Sequence, residues 1–542
     1  MNRGLLYFLS GWALLALVQA TFTDLANDEA YYRVYSLNPD WGYFDHPPVV
    51  GLMIRAGNFL ISGEVGVRLM TILSQITALF LIGRYLLPAG TETMKRYFLI
   101  VVLIPLIHVF SFIAVPDPPL LLGTVIFLVL FKKYTESPSW NLTVPLAVTM
   151  AFMMYSKYHA ALVILLVMFS KPVLFKDLRF MCACVLGALL FSPHLWWQYV
   201  NEFPSLKYHL VDRNRSFQLK DMGMYILNQL INFNPVLFPV LLYRLRKTKD
   251  QSSDFERALK FLFFGFLIFF LIMTWRGHIE PQWTYVLVIP VIYFSVKYLT
   301  DRDFKIVRRS AFLIVPVLLA GRLFLMFDIL PVATEFHGYP ALAEKIKTEA
   351  NGRTVAIMNS YQLTAKYNFY TGETPVGMVT EGRRNQYTIL KDEAPALGKP
   401  ALLVSRREKD GFREISAGGF YSVWVKPVDE FSYFEQVEIS GPEKLNTNTS
   451  TLNLKINNPY NREIELNSGR EIVLIILKNG KPDKMFAVQT NKEHLAVGSE
   501  QPVTGNIDLS QITEPSQAVF GIRSEGQFFT FNSKPLEITL NP

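Results

Sequence analysis

Two carboxylates stand side by side at Asp28 and Glu29, just past the first apolar run of the sequence. A third, Asp117, stands alone among prolines in Val115-Pro116-Asp117-Pro118-Pro119, between two further apolar runs. Asp45 and His209 sit in longer polar stretches that also hold arginines, lysines and more histidines. A carboxylate can take a proton from a hydroxyl nucleophile. Arg, Lys and His can hold a phosphate whose charge grows as it departs. A divalent ion on Asp and His could do the second job. Each residue also has a plainer explanation: a solvated loop charge, or for Asp117 a helix cap. Residue types alone reach an outward-facing membrane enzyme or transporter that acts on something phosphorylated.

The elements that must position these groups are apolar. Of 542 residues, 51% are hydrophobic and only 18% charged, against roughly a quarter charged in ordinary globular domains. A membrane-crossing helix needs about 20 mostly apolar residues. Spans are expected near 5–22, 66–87, 97–115, 119–131, 140–156, 159–175, 180–199, 223–243, 258–275, 282–298 and 310–330, about eleven in all. Residues 47–61, broken by Arg55 and two glycines, suit a helix lying in the membrane interface. The loops on one side carry 19 basic residues, Lys249 among them, and those on the other carry eight, Arg215 among them. The richer side is expected in the cytoplasm, which leaves Asp28, Asp117 and the long polar loops outside. Val18-Gln19-Ala20 is an alternative cleavage site, and removal there would leave this topology unchanged. The net charge of +8 is mostly this asymmetry, with no basic soluble face for nucleic acid. Cys182 and Cys184 share one apolar run, so neither a disulfide framework nor a cysteine-built metal site is expected.

After Leu330 the pattern turns polar. Residues 331–430 mix short helices with strands such as Thr354–Met358 and Ala401–Ser405, as in a small α/β domain. From 431 to 542 apolar residues alternate with period two, and Asn479-Gly480 sits between two strand-like runs. Several short strands of this kind predict a β-sandwich. It is expected to be a passive cap or a sugar- or protein-binding module.

Several motifs together resemble the bacterial branch of the GT-C glycosyltransferases, the protein O-mannosyltransferase-like and aminoarabinose-transferase-like enzymes. They are Asp28-Glu29 heading a large first loop, Gly42-Tyr43-Phe44-Asp45-His46-Pro47-Pro48, and Pro116-Asp117-Pro118-Pro119-Leu120. Ser156-Lys157-Tyr158, Ser192-Pro193-His194-Leu195-Trp196-Trp197 followed by His209 and Arg213, and Glu280-Pro281-Gln282-Trp283 also fit. The resemblance covers residues 1–330, more loosely to about 425. It implies a multi-pass α-helical protein of the bacterial cytoplasmic membrane with its tail on the periplasmic side. It also implies transfer, with inversion, of a sugar from a polyprenyl-phosphate donor to a lipid, protein or surface-glycan acceptor. Carried over residue by residue, Asp28 is the expected base with Glu29 supporting, and Asp117 helps place acceptor or sugar. Arg213, Lys157, Arg276 and His278 are expected on the donor phosphate. His46, where such members carry Lys, is a weaker member of that set, because a neutral imidazole binds phosphate less well. Tyr31, Tyr32, Glu280 and Trp283 would line the substrate, and Asp45 with His209 would hold a divalent metal. The rivals are a transporter or flippase, a lipid-diphosphate-dependent ligase or polymerase, and a non-catalytic assembly factor.

Overall fold

The computed structural model describes residues 3–540 except 215, 248–252, 381–383, 420, 468 and 479. Arg215 and Lys249 of the charge counts, and Asn479 of the expected hairpin, thus lie outside the described residues. The chain divides into two compact units, Met1–His337 and Gly338–Pro542.

The first unit is a helical, membrane-type bundle. Among the described residues, six helices of 20 to 26 residues are long and apolar enough to cross a bilayer: Arg3–Phe22, Gly63–Leu86, Asp117–Glu136, Leu178–Val200, Asp254–Arg276 and Asp301–Met326. Each coincides with an expected span. The expected span at 223–243 is a pair, Leu219–Asn232 and Leu237–Lys247, bent by 95°. The remaining four are assembled from shorter pieces. Pro105 starts a new five-residue helix after Thr91–Leu103, because proline lacks the N–H that would continue the ladder. Thr143–Ser156 has 14 residues and Ala160–Ser170 has 11. Pro281 opens a 3₁₀ stretch that passes into Val288–Tyr298. By length and composition, then, six helices among the described residues could each cross a bilayer, or seven if the bent pair is one span.

Residues Val49–Leu60 form the short helix expected at the interface. One face is buried through Val50, Ile54 and Gly57, while Phe59 is 88% exposed. It packs closely on Gly63–Leu81, since a Cβ on Gly57 would lie 2.1 Å from the Gly66 carbonyl oxygen. Only glycine permits that approach.

In the second unit, Thr354–Met358 pairs in parallel with Val376–Met378 and Ala401–Ser405. Ser422–Val428 and Arg413–Ser416 complete this sheet antiparallel. An eight-stranded sheet follows, running in sequence from Glu438–Ser440 to Leu536–Thr539. Arg470–Lys478 and Lys481–Thr490 form its hairpin. The second of these joins two half-sheets, meeting Glu500–Asn506 only at Gln489 and Thr490. One buried cluster runs from Ala356, Met358 and Leu403 through Phe431 and Tyr433 to Ile456, Leu474 and Phe520. The α/β part and the β-rich part therefore share a core.

Candidate functional site

The first loop opens with the helix Asn27–Leu37, whose initial turn contains Asp28 and Glu29. The two acids have different surroundings. Glu29 is fully buried against Arg68, itself fully buried on helix Gly63–Leu81. The guanidinium donates from Nε to Oε1 at 2.8 Å and from Nη2 to Oε2 at 2.6 Å. Backbone N–H groups of Ala26 and Ala114 donate to the same carboxylate at 2.9 and 2.8 Å. With four donors on it and no exposed surface, Glu29 is a positioning group rather than one that meets substrate. Asp28 beside it is partly exposed.

Tyr31 and Tyr32 follow Asp28 at the i+3 and i+4 positions that share a helical face. Both are buried, in a ring cluster with Tyr35. The Tyr32 ring, one helical turn after Asp28, lies 5.5 Å from the His46 ring. Tyr35 stacks on Tyr43 and donates its hydroxyl to Asp45. Burial, and then the Asp45 carboxylate, hold the Tyr35 phenol well above its ordinary range, which keeps it a donor.

Basic groups converge on His46. Burial, then the positive fields of Lys157, His209 and Arg213, push its imidazole well below its ordinary range. It is neutral, and its buried Nδ1 has no hydrogen-bond partner among the described residues. Lys157 follows the helix Thr143–Ser156 and grips Asp117 with Nζ 2.7 and 2.9 Å from the two carboxylate oxygens. This pair is almost wholly buried, at 6% and 5% side-chain exposure. Two residues expected in separate roles are thus each other's counter-charge. Arg213 bonds Glu280 at 2.9 Å and lies over the Trp283 ring at 4.8 Å. His159, not among the expected site residues, packs its ring 5.2 Å from Trp283 and leaves a buried Nδ1 unpartnered.

Two expected phosphate ligands are engaged elsewhere. Arg276 is exposed and donates to Asn214 Oδ1 and the Leu210 carbonyl, bracing the 208–214 turn. His278 is 41% exposed beside Asp221 and Glu280, at 3.9 and 3.8 Å. The expected metal pair is also committed. His209 Nε2 sits 3.0 Å from the Asp45 carbonyl oxygen, so that nitrogen carries the proton and donates. The Asp45 carboxylate accepts the Tyr35 hydroxyl. Burial pushes His209 down to about 4, with Arg213 and Lys157 adding to it. Among the described residues no three His, Cys, Asp or Glu side chains gather into a possible metal site. One carboxylate and one ring nitrogen fall short of the six or more oxygens of calcium or the four ligands of zinc. These two side chains alone do not complete the ligand shell of calcium or zinc.

The His194-Leu195-Trp196-Trp197 motif works as a brace. His194 Nδ1 meets the Trp41 carbonyl at 2.7 Å, and Trp197 donates to Asp40 at 2.7 Å. Gly42 slots beneath them, since a Cβ there would lie 2.5 Å from the Trp197 ring. Tyr158, His194, Gln198 and Ser205 then chain by hydrogen bonds to the Tyr43 carbonyl. Arg68 is a functional residue that sequence reasoning misses; its signal is an arginine within the expected span at 66–87, which also holds Arg84 near its other end.

A family model described as dolichyl-phosphate-mannose-protein mannosyltransferase matches residues 45–197. The lipid A galacturonosyltransferase RgtD of Rhizobium johnstonii is 25% identical over 278 residues. That match takes in 48% of this chain and 58% of the relative's length. Among solved structures, ArnT from Cupriavidus metallidurans aligns in its apo state with a TM-score of 0.58 at 15% identity. The alignment covers 78% of this chain and 98% of that one. The same enzyme bound to undecaprenyl phosphate aligns at 0.57, with 79% and 98% covered. Over most of its length the chain thus has the fold of ArnT, and the family model and the curated relative it partly matches are both glycosyltransferases.

Proposed function

We propose that this protein transfers a sugar from a polyprenyl-phosphate-linked donor to a hydroxyl or phosphate acceptor on a lipid, protein or surface glycan. The reaction runs at the outer face of the cytoplasmic membrane with inversion at the anomeric carbon. The observation that carries the reading is the division of labour in the first loop. Glu29 is saturated and buried, while Asp28 beside it is partly exposed and lies one helical turn before Tyr32, whose ring packs 5.5 Å from His46. Asp28 takes the proton as the acceptor oxygen attacks the anomeric carbon. The bond from that carbon to the phosphate oxygen breaks, and the departing polyprenyl phosphate gains a negative charge. Arg213 and Lys157 meet that charge, with Lys157 held in reach by Asp117. The galacturonosyl relative and the undecaprenyl phosphate bound by the structural neighbour agree with a lipid-linked donor.

Asp28→Asn tests this. Transfer should fall about 10²–10⁴-fold, the usual cost of losing a placed base, in a protein that still folds and inserts. Mass spectrometry of surface glycolipids and glycoproteins, in cells with and without the variant, reads the product. Near-normal product in the variant removes Asp28 from the base role.

A further inference from the structure

Resting on that reading, we propose that the Arg68–Glu29 pair is a positioning joint that fixes the two acidic loops, and with them Asp28 and Asp117, relative to one another. Arg68 spends its remaining N–H groups on the carbonyls of Ala20 at 3.0 Å, Thr23 at 2.5 Å and Asp24 at 2.8 Å. Those carbonyls belong to the end of the first span and the bend leading into helix Asn27–Leu37. Glu29 reaches the other way. Its Oε2 accepts from Ala26, two residues before Asp28, and its Oε1 accepts from Ala114, three residues before Asp117. The Phe112 ring, 5.2 Å from the guanidinium carbon, covers the fork.

One ion pair thereby holds five backbone groups drawn from two loops that are far apart in sequence. Stability alone would not require it, because a buried ion pair is often matched or bettered by apolar side chains of similar volume. Fixing direction is another matter. Only a planar guanidinium can meet a carboxylate bidentately while donating sideways to carbonyls. If the acids drift by about 1 Å, turnover can fall about 100-fold.

The test uses the purified full chain in lipid nanodiscs, with Glu29→Gln and Arg68→Lys as near-isosteric variants. Undecaprenyl-phosphate galacturonate and undecaprenyl-phosphate aminoarabinose are offered in parallel, with lipid A as acceptor. Native mass spectrometry reads the binding of undecaprenyl phosphate alone. The joint predicts a drop in kcat of about 100-fold, with donor KM and undecaprenyl phosphate binding within about threefold of the parent. Amide exchange supplies a reading independent of activity. The Ala114 N–H should be protected in the parent chain and should exchange at least about tenfold faster in both variants. A folded variant whose kcat stays within about threefold overturns the proposal. So does a parallel loss of kcat and undecaprenyl phosphate binding, which marks general damage to the site. An unprotected Ala114 amide in the parent chain overturns it even if neither variant inserts. A parent chain that consumes neither donor counts against the transfer reading, while the exchange measurement still decides the joint.

Discussion

Arg96 and Asp301 meet at 2.5 Å with the carboxylate 86% exposed, whereas Arg68 and Glu29 meet at 2.6 Å with neither side chain exposed. The first pair belongs to the face that the charge count assigns to the cytoplasm, as do Lys171–Asp254 and Arg244–Asp303. Arg96–Asp301 is largely in water on its carboxylate side, where an ion pair is worth about 0–1 kcal/mol, and Lys171–Asp254 and Arg244–Asp303 are partly exposed, at 23% and 33% and at 26% and 9%. On the opposite face, Arg68–Glu29 and Lys157–Asp117 are both buried. A buried pair contributes little net stability when intact, but removing one partner costs about 3–5 kcal/mol. Similar distances therefore carry different meanings. On one face charge records topology, and on the other it fixes geometry.

The largest effect expected from this contrast is at Lys157. Replacing it with Met strands the Asp117 carboxylate, which is 5% exposed, and should cost about 3–5 kcal/mol in thermal unfolding of the full chain. The double variant Lys157→Met with Asp117→Leu removes both charges and should regain most of that stability. Transfer should stay lost in both, since Lys157 is assigned to the departing phosphate. If transfer returns with stability in the double variant, the pair is scaffolding only, and the contrast between the faces loses its functional half.

Much of the scaffold is legible in the residues because its signals are local. Each of the six long helices is a single apolar run of bilayer length, and the hairpin of Arg470–Lys478 with Lys481–Thr490 follows from two strand-like runs on either side of a short turn. The shorter spans are less legible, because Pro105 breaks a helix whose apolar text continues through it and Pro281 opens the 282–298 span as a 3₁₀ stretch. In the site, the acidic pair at 28–29 is plain, but its division of roles is not. That division depends on Arg68, 39 residues further on, and one sequence contains no sign of which carboxylate a distant arginine selects. The mutual pairing of Asp117 and Lys157 was hidden in the same way, as was the use of the Asp45 carbonyl, not its carboxylate, by His209. The expected boundary near residue 430 is set by composition, whereas the shared core across it is set by long-range packing.

A pH effect in the second unit sharpens the comparison, because there buried acids lack a strong counter-charge. Burial, then Glu393 and Asp392, pushes the Glu435 carboxyl up to about 8, with Lys391 and Arg384 opposing. Burial and Glu393 push Asp392 up to about 6. The phenols of Tyr433 and Tyr460 face the same cluster, and Tyr460 donates to Glu393. Because the folded values exceed the ordinary ones, the protonated acids favour the fold. Their contribution is whole below about pH 4 and is lost as pH rises through about 6 for Asp392 and about 8 for Glu435. The unfolding temperature of this unit should therefore fall between about pH 4 and 8 and level off above. Glu435→Gln should flatten the fall and raise the temperature at the alkaline end. An unchanged pH slope in that variant would remove Glu435 from the account.

The smallest expected effect is on the exposed face. Asp301→Asn leaves Arg96 stacked on the Phe304 ring at 4.3 Å and still donating to the Leu299 carbonyl at 3.0 Å. The lost partner was a carboxylate 86% in water, so unfolding should shift by less than about 1 kcal/mol, and less still in high salt. Asp301 also opens helix Asp301–Met326, where a negative charge favours the helix N-terminus, adding about 0.3–1 kcal/mol at low ionic strength. Asp303 remains in that turn with the Thr300 cap intact, so the terminus keeps an acid. A loss approaching that of Lys157→Met would mean that exposure does not set what these pairs are worth, and the distinction between the two faces would have to rest on something other than burial.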